Sequence, residues 1–270
     1  MRLKGQTAIV TGAGDGIGRG IALAFAKEGA DVAVCALRET GVRETASLVE
    51  QLGRRTYWEN FDIGDVSSIE RFVAQVRDHL GPVSILVNNA AIMPVVDVEQ
   101  MSEEQFNSCV NTKFKSAVFF SKYCTPHMRQ IGGGSIIHMA SVTGNVGFAR
   151  HAVYGACNSA LMGLARGQAM ELAPLNIRVN SVSPGTVDSP MLHRYIAHSG
   201  EDPVKLKAAF DAAHPRGKVG TIEEVAAVFV FLASDDAANI TATDIRCDGG
   251  FSFSGGQATV ENIKPEDHTV

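Results

Sequence analysis

The octapeptide Thr11-Gly12-Ala13-Gly14-Asp15-Gly16-Ile17-Gly18 lies between an apolar run at 7–10 and a segment of helical period. Glycines let a backbone turn tightly and approach a ligand closely. A helix N-terminus adds unpaired N–H groups and partial positive charge for a phosphate. A glycine cluster between the strand and the helix of a first βαβ unit is the pattern of a dinucleotide diphosphate site. Glycine alone says little; its placement carries the expectation.

Other chemistries find less support. The five cysteines (Cys35, Cys109, Cys124, Cys157, Cys247) are odd in number and include no Cys-x-x-Cys pair, so neither a disulfide framework nor a zinc site is expected. Cys157 is read as a small apolar residue on a packed helix, with a reactive thiol as the lesser alternative. Ser141 lies in no Gly-x-Ser-x-Gly elbow, and no Gly-x-x-x-x-Gly-Lys loop occurs. His193 and His198 do not have metal-ligand helix spacing, and no metal is expected.

The elements that must position these residues alternate. Candidate strands lie at 7–10, 31–35, 55–60, 85–88, 135–139, 177–183 and 244–247. Helical periodicity marks 18–28, 43–52, 66–79, 102–130, 153–172 and 222–233. Such alternation builds βαβ units with right-handed crossovers, hence an α/β fold whose parallel sheet is covered on both faces. No linker or repeat interrupts it, so residues 1–254 are read as one domain. The connection at 188–220 contains three prolines and three histidines and is expected to be a substrate lid. The polar stretch 255–270 is expected to be a loosely held extension.

Composition sets the remaining bounds. The 270 residues are 45% hydrophobic and carry a net charge of −5, which suits a globular protein and attracts neither nucleic acid nor an anionic membrane. No 18 consecutive apolar residues occur, and a strand begins almost at once, so neither a membrane span nor a secretory signal is expected. A cytoplasmic location follows as the expectation.

The spacing Thr-Gly-x-x-x-Gly-x-Gly resembles the short-chain dehydrogenase/reductase family more than the general Rossmann fingerprint. Asn88-Asn89-Ala90-Ala91 resembles that family's Asn-Asn-Ala-Gly, with Ala91 in the glycine position. Asn111, Ser141 and Tyr154 match its asparagine, serine and tyrosine, and Ser183-Pro184-Gly185 and Asp248-Gly249-Gly250 match two further signatures. The likeness runs from about residue 3 to residue 254. It implies a doubly wound (Rossmann) parallel sheet of seven strands, commonly a homotetramer, acting on a small molecule. It also implies a nicotinamide coenzyme held by Gly12, Asp15, Gly16, Ile17, Gly18, Arg38, Asp62, Ile63, Asn89, Ala90, Tyr154, Asn158, Pro184, Gly185 and Val187.

Which coenzyme depends on the end of the second strand. An acidic residue about twenty positions past the glycines holds a ribose 2′-hydroxyl, whereas a basic one accepts a 2′-phosphate. The acidic position falls on Ala36, with Arg38 two residues on, which favours NADP(H) over NAD(H). Asp15 argues the other way, since its charge would repel a phosphate. Asp62 matches the family's adenine-contacting aspartate and also suits a turn before Gly64.

The resemblance assigns the proton to Tyr154, substrate orientation to Ser141 and a relay to Asn111. A phenol titrates near 10, and the family corrects this with a lysine four residues on, one helical turn away. This chain reads Tyr154-Gly155-Ala156-Cys157-Asn158. Asn158 can hydrogen-bond ribose hydroxyls but carries no charge. His151 is a lesser candidate proton carrier. Lys113 and Lys115 follow Asn111, but helical spacing directs at least one of them elsewhere. Arg150 and Arg194 are candidate anchors for a substrate carboxylate, which suggests a hydroxy acid or sugar-derived compound. Two functions follow: an NAD(P)-dependent oxidoreductase interconverting a secondary alcohol and a ketone, slowed by Asn158, or a catalytically silent dinucleotide-binding sensor or scaffold.

Overall fold

A computed structural model describes residues 1–253. The apolar runs are strands: β1 (Thr7–Thr11), β2 (Asp31–Ala36), β3 (Thr56–Asn60), β4 (Ile85–Asn88), β5 (Gly134–Met139), β6 (Ile177–Pro184) and β7 (Asp244–Cys247). All pair in parallel, in the order β3-β2-β1-β4-β5-β6-β7. Side chains alternate across such a sheet. Ala8 and Val10 accordingly enter one core, and Ile9 the other.

Helices α1 (Gly16–Lys27), α2 (Glu39–Gln51) and α9 (Ile222–Ala233) cover the first face. Helices α3 (Val66–Leu80), α5 (Ser116–Gln130) and α6 (Ala152–Leu172) cover the second. Strand order reverses between β1 and β4, and an open parallel sheet binds ligands at such a switch point, outside the strands' carboxyl ends. The glycine turn follows β1 and Asn88-Asn89 follows β4, so both stand at that point.

Two expected segments differ from what forms. The helical stretch at 102–130 is α4 (Glu103–Val110) and α5 joined through a π-turn at Asn111–Lys115, where the Ser116 N–H donates to the Asn111 carbonyl. The lid is mostly helix, α7 (Pro190–His198) and α8 (Pro203–Ala212), because Pro190 and Pro203 occupy first-turn positions, where no N–H is needed. Ser189 and Asp202 cap these helices with their side chains. The segment 255–270 lies outside the described residues. Among the described residues, no helix is long and apolar enough to cross a membrane.

Candidate active site

Packing within the chain shapes the glycine turn. Gly12 has φ +65°, and a Cβ there would stand 2.7 Å from the Ala90 Cα. A Cβ on Gly18 would stand 2.4 Å from the Gly12 carbonyl oxygen. The Asn89 side-chain amide donates to the carbonyls of Thr11 (2.8 Å) and Gly12 (3.2 Å), and the Thr11 hydroxyl accepts the Asn89 and Ala90 N–H groups. Asn89 thus clamps the end of β4 to the turn. Thr11 belongs to the motif read from the sequence, but its part in this clamp was not anticipated. Gly16 differs, since a Cβ there would meet only Pro190, at 3.7 Å. The Asp15 side chain makes no cap bond to α1, whose first turn carries no acid. That leaves a helix N-terminus able to take an anion.

This turn forms one wall of a cleft of about 1160 Å³ at the carboxyl ends of the strands. Pockets that hold drug-sized ligands run to roughly 300–1,000 Å³, so this cleft is at or above the upper end of that range. Gly12, Gly16, Ile17, Gly18, Asp62, Ile63, Asn89, Ala90, Pro184, Gly185 and Val187 all line it. Asp62 also accepts the Gly64 N–H at 2.7 Å, which is the turn role its sequence position suits.

Three residues on three elements meet at the other end. Asn111 opens the π-turn, Ser141 precedes a short turn after β5, and Tyr154 lies in the first turn of α6; all three line the cleft. Burial pushes the Tyr154 phenol above its ordinary value, while the Asn158 amide and the Ser141 hydroxyl draw it back. Asn158 does not line the cleft. Its amide group donates to the Thr143 hydroxyl (2.8 Å) and the Tyr154 carbonyl (2.9 Å), and its Oδ1 is buried without a partner.

Sequence reasoning left Lys113 without a role, yet this lysine lines the cleft and is only 2% exposed. Its ammonium donates to the Met139 carbonyl at 2.9 Å and lies 5.1 Å from the Tyr154 ring centroid. Lys115 is half-buried away from the cleft. Two cysteines far apart in sequence, Cys109 and Cys157, stand with sulfurs 4.0 Å apart in a cluster with Tyr154.

The arginines behave differently from the expectation. Arg150 does not line the cleft; it faces Asp97 at 3.7 Å and the Val95 carbonyl. Arg194 lines the cleft but meets Asp15 at 3.3 Å, and Arg38 meets the same carboxylate at 2.6 Å. His151 lines the cleft with its Nδ1 against the Ala149 carbonyl. Among the described residues, no cluster of His, Cys, Asp or Glu could hold a metal.

Comparisons with known proteins agree with this architecture. A family model described as enoyl-(acyl carrier protein) reductase matches residues 12–252. An uncharacterized oxidoreductase of Thermotoga maritima is 36% identical over 93% of this chain and 98% of its own. A sorbitol dehydrogenase of Cereibacter sphaeroides is 32% identical over 93% of this chain and 98% of its own. The crystal structure of a levodione reductase superposes with a TM-score of 0.90 at 28% identity, covering 94% of this chain and all of the other. With most of its length matched in this way, the chain belongs to the short-chain dehydrogenase/reductase family, whose members are NAD(P)-dependent oxidoreductases acting on CH–OH groups.

Proposed function

We propose that the protein interconverts an uncharged secondary alcohol and its ketone, with NADP(H) as the preferred coenzyme. The observation that carries this reading is that a buried phenol, Tyr154, and a serine hydroxyl, Ser141, face the cleft formed by the glycine turn. A bound nicotinamide supplies the hydride acceptor or donor. Tyr154 takes the hydroxyl proton during oxidation and returns it during reduction. Ser141 donates a hydrogen bond to the substrate oxygen, where negative charge develops. Asn111 supports the proton relay behind Tyr154.

The coenzyme preference rests on charge. Asp15 is flanked by Arg38 and Arg194, so two guanidinium groups share one carboxylate and the trio keeps one net positive charge. Ala36 offers no carboxylate for a 2′-hydroxyl. Both features suit a 2′-phosphate, and the pairing removes the repulsion that Asp15 alone would exert. Residues proposed to hold the coenzyme are Gly12, Gly16, Ile17, Gly18, Arg38, Asp62, Ile63, Asn89, Ala90, Pro184, Gly185 and Val187.

Substrate class follows from where the arginines lie. Arg194 is paired with Asp15 and Arg150 is outside the cleft, so neither is free to anchor a carboxylate. Met93, Phe148, Met191, Leu192, Tyr195 and Phe210 line the cleft together with Glu104, Asn107 and Ser108. Such a wall suits a neutral alcohol or ketone, including a sugar-derived polyol. The silent-sensor alternative has only Asn158 in its favour. The test is titration with NADPH and NADH by coenzyme fluorescence, followed by turnover of neutral and carboxylated alcohols. Absence of binding by both coenzymes overturns the proposal.

A further inference from the structure

A phenol that exchanges protons near neutrality needs help, and burial makes the Tyr154 phenol a still weaker acid. Its own helix offers no cation one turn on, since position 158 is asparagine. A charge does arrive from another element. Lys113 projects from the π-turn to 5.1 Å from the Tyr154 ring centroid, is 2% exposed, and has no carboxylate partner among the described residues. We propose that Lys113 is the positioning residue that poises Tyr154, its ammonium stabilising the phenolate from the π-turn in place of a cation on α6. This rests on the proposed role of Tyr154 as proton carrier.

The alternative is that Lys113 merely ties the π-turn to the end of β5 through the Met139 carbonyl. A single hydrogen bond to one carbonyl needs no charge, whereas burying an unpaired ammonium is costly. Burial draws the Lys113 amine down to about 8, so it remains cationic at neutral pH, where a phenolate most needs stabilising. An opposite charge nearby favours ionisation by about 1–3 pH units, equivalent to roughly 10- to 1000-fold in phenolate population.

The other titratable groups around the pair come from three elements. Cys109 on α4 and Cys157 on α6 share a sulfur contact, and Cys157 is drawn down by the Cys109 S–H bond and by Lys113. Its thiolate would compete with the phenolate for the ammonium. His138 on β5 is fully buried and held neutral, pushed down to about 4 by burial. Glu104 and His151 line the same cleft.

The test compares Lys113→Met with the unsubstituted chain across pH. In alcohol oxidation the ratio of rates should be about 10- to 1000-fold at neutral pH. It should then shrink above pH about 8, where Lys113 itself loses its proton. The unsubstituted chain should level off there, while the variant keeps rising until the two meet. Lys113→Arg should restore the neutral-pH rate. A tie without electrostatic effect gives a ratio independent of pH, and that result overturns the proposal.

A second readout needs neither coenzyme nor turnover. Tyrosinate absorbance of the free protein, less that of Tyr154→Phe, isolates this phenol among the four tyrosines. The low-pH foot of its titration, below pH about 8 where Lys113 is still cationic, should shift upward in Lys113→Met while the two curves converge at higher pH. An unmoved foot counts decisively against the proposal. Should Lys113→Met fail to fold, Lys113→Gln keeps a donor for the Met139 carbonyl and should show the same shift. Adding Asn158→Lys to either variant should recover the neutral-pH rate, and no recovery counts against an electrostatic role. Failure of both coenzymes to bind sinks the functional reading alone, because the phenol titration still decides the role of Lys113.

Discussion

Arg194 of the lid helix α7 and Asp15 of the glycine turn stand 3.3 Å apart, and Arg38 joins the same carboxylate at 2.6 Å. One acid therefore ties the lid to the turn and holds the arginine proposed to face a 2′-phosphate. Exposed ion pairs contribute at most about 1 kcal/mol, so the trio adds little to stability, and its proposed effect is on coenzyme choice. Arg38→Ala should weaken NADPH binding by roughly 10- to 100-fold, the range for losing a charge-assisted hydrogen bond, and leave NADH binding unchanged. Asp15→Ala should strengthen NADPH binding and cost little helix stability, since its side chain makes no cap bond. Parallel fluorescence titrations at several salt concentrations decide this, and an equal loss for both coenzymes would disprove the assignment of Arg38.

Gly12 and Gly16 should separate folding from binding. Alanine at Gly12 combines left-handed strain of about 1–2 kcal/mol with a Cβ 2.7 Å from backbone at Ala90. It should lower the thermal midpoint clearly and abolish coenzyme binding. Alanine at Gly16 has φ +56° but no neighbour closer than 3.7 Å. Its methyl should block close approach of a diphosphate while costing only the strain. Calorimetry beside coenzyme titration checks both, and tight binding by Gly16→Ala would refute a diphosphate at this turn.

Local pattern made the strands legible, because apolar β-branched runs between turn residues have few other uses. Strands β4 and β7 fall on the expected residues, and the glycine turn stands where its chemistry requires. The π-turn was not legible. Its extra residue per turn changes which side chains share a face, and helical spacing cannot register that. Lys113 was missed for this reason. The segment 188–220 was read as a long connection, whereas Pro190 and Pro203 begin helices within it. Arg194 was one candidate anchor for a substrate carboxylate, and its partner Asp15 lies 179 residues away in sequence, a distance no local pattern spans.

His138 makes stability depend on pH. Its Nδ1 faces the Asn88 amide and its Nε2 the Gln168 carbonyl, a neutral arrangement with no exposed surface. Burial pushes this imidazole from 6.5 down to about 4. The unfolded chain therefore binds more protons between these values, and folding stability falls as pH drops from about 6.5 towards 4. The loss contributed by this one group is on the order of 3 kcal/mol. Urea midpoints across that window should fall less steeply for His138→Gln, which keeps a donor and an acceptor but cannot titrate. Equal slopes would show that other groups govern acid sensitivity.

Arg150 offers the cleanest test of a neutral substrate. It sits at φ +64°, outside the cleft, in an exposed pair with Asp97. Arg150→Gly removes the guanidinium and relieves a backbone conformation that glycine adopts freely. It should leave kcat/KM within about twofold for every alcohol tested, because no rate-limiting contact is lost. Were Arg150 a carboxylate anchor instead, the same change would raise KM for hydroxy acids by about tenfold or more while sparing neutral alcohols. Arg194→Ala should likewise spare neutral substrates at saturating coenzyme. The pairing of Arg194 with Asp15 places its influence at the coenzyme end of the cleft, so its loss should appear in the coenzyme's KM and not in the alcohol's.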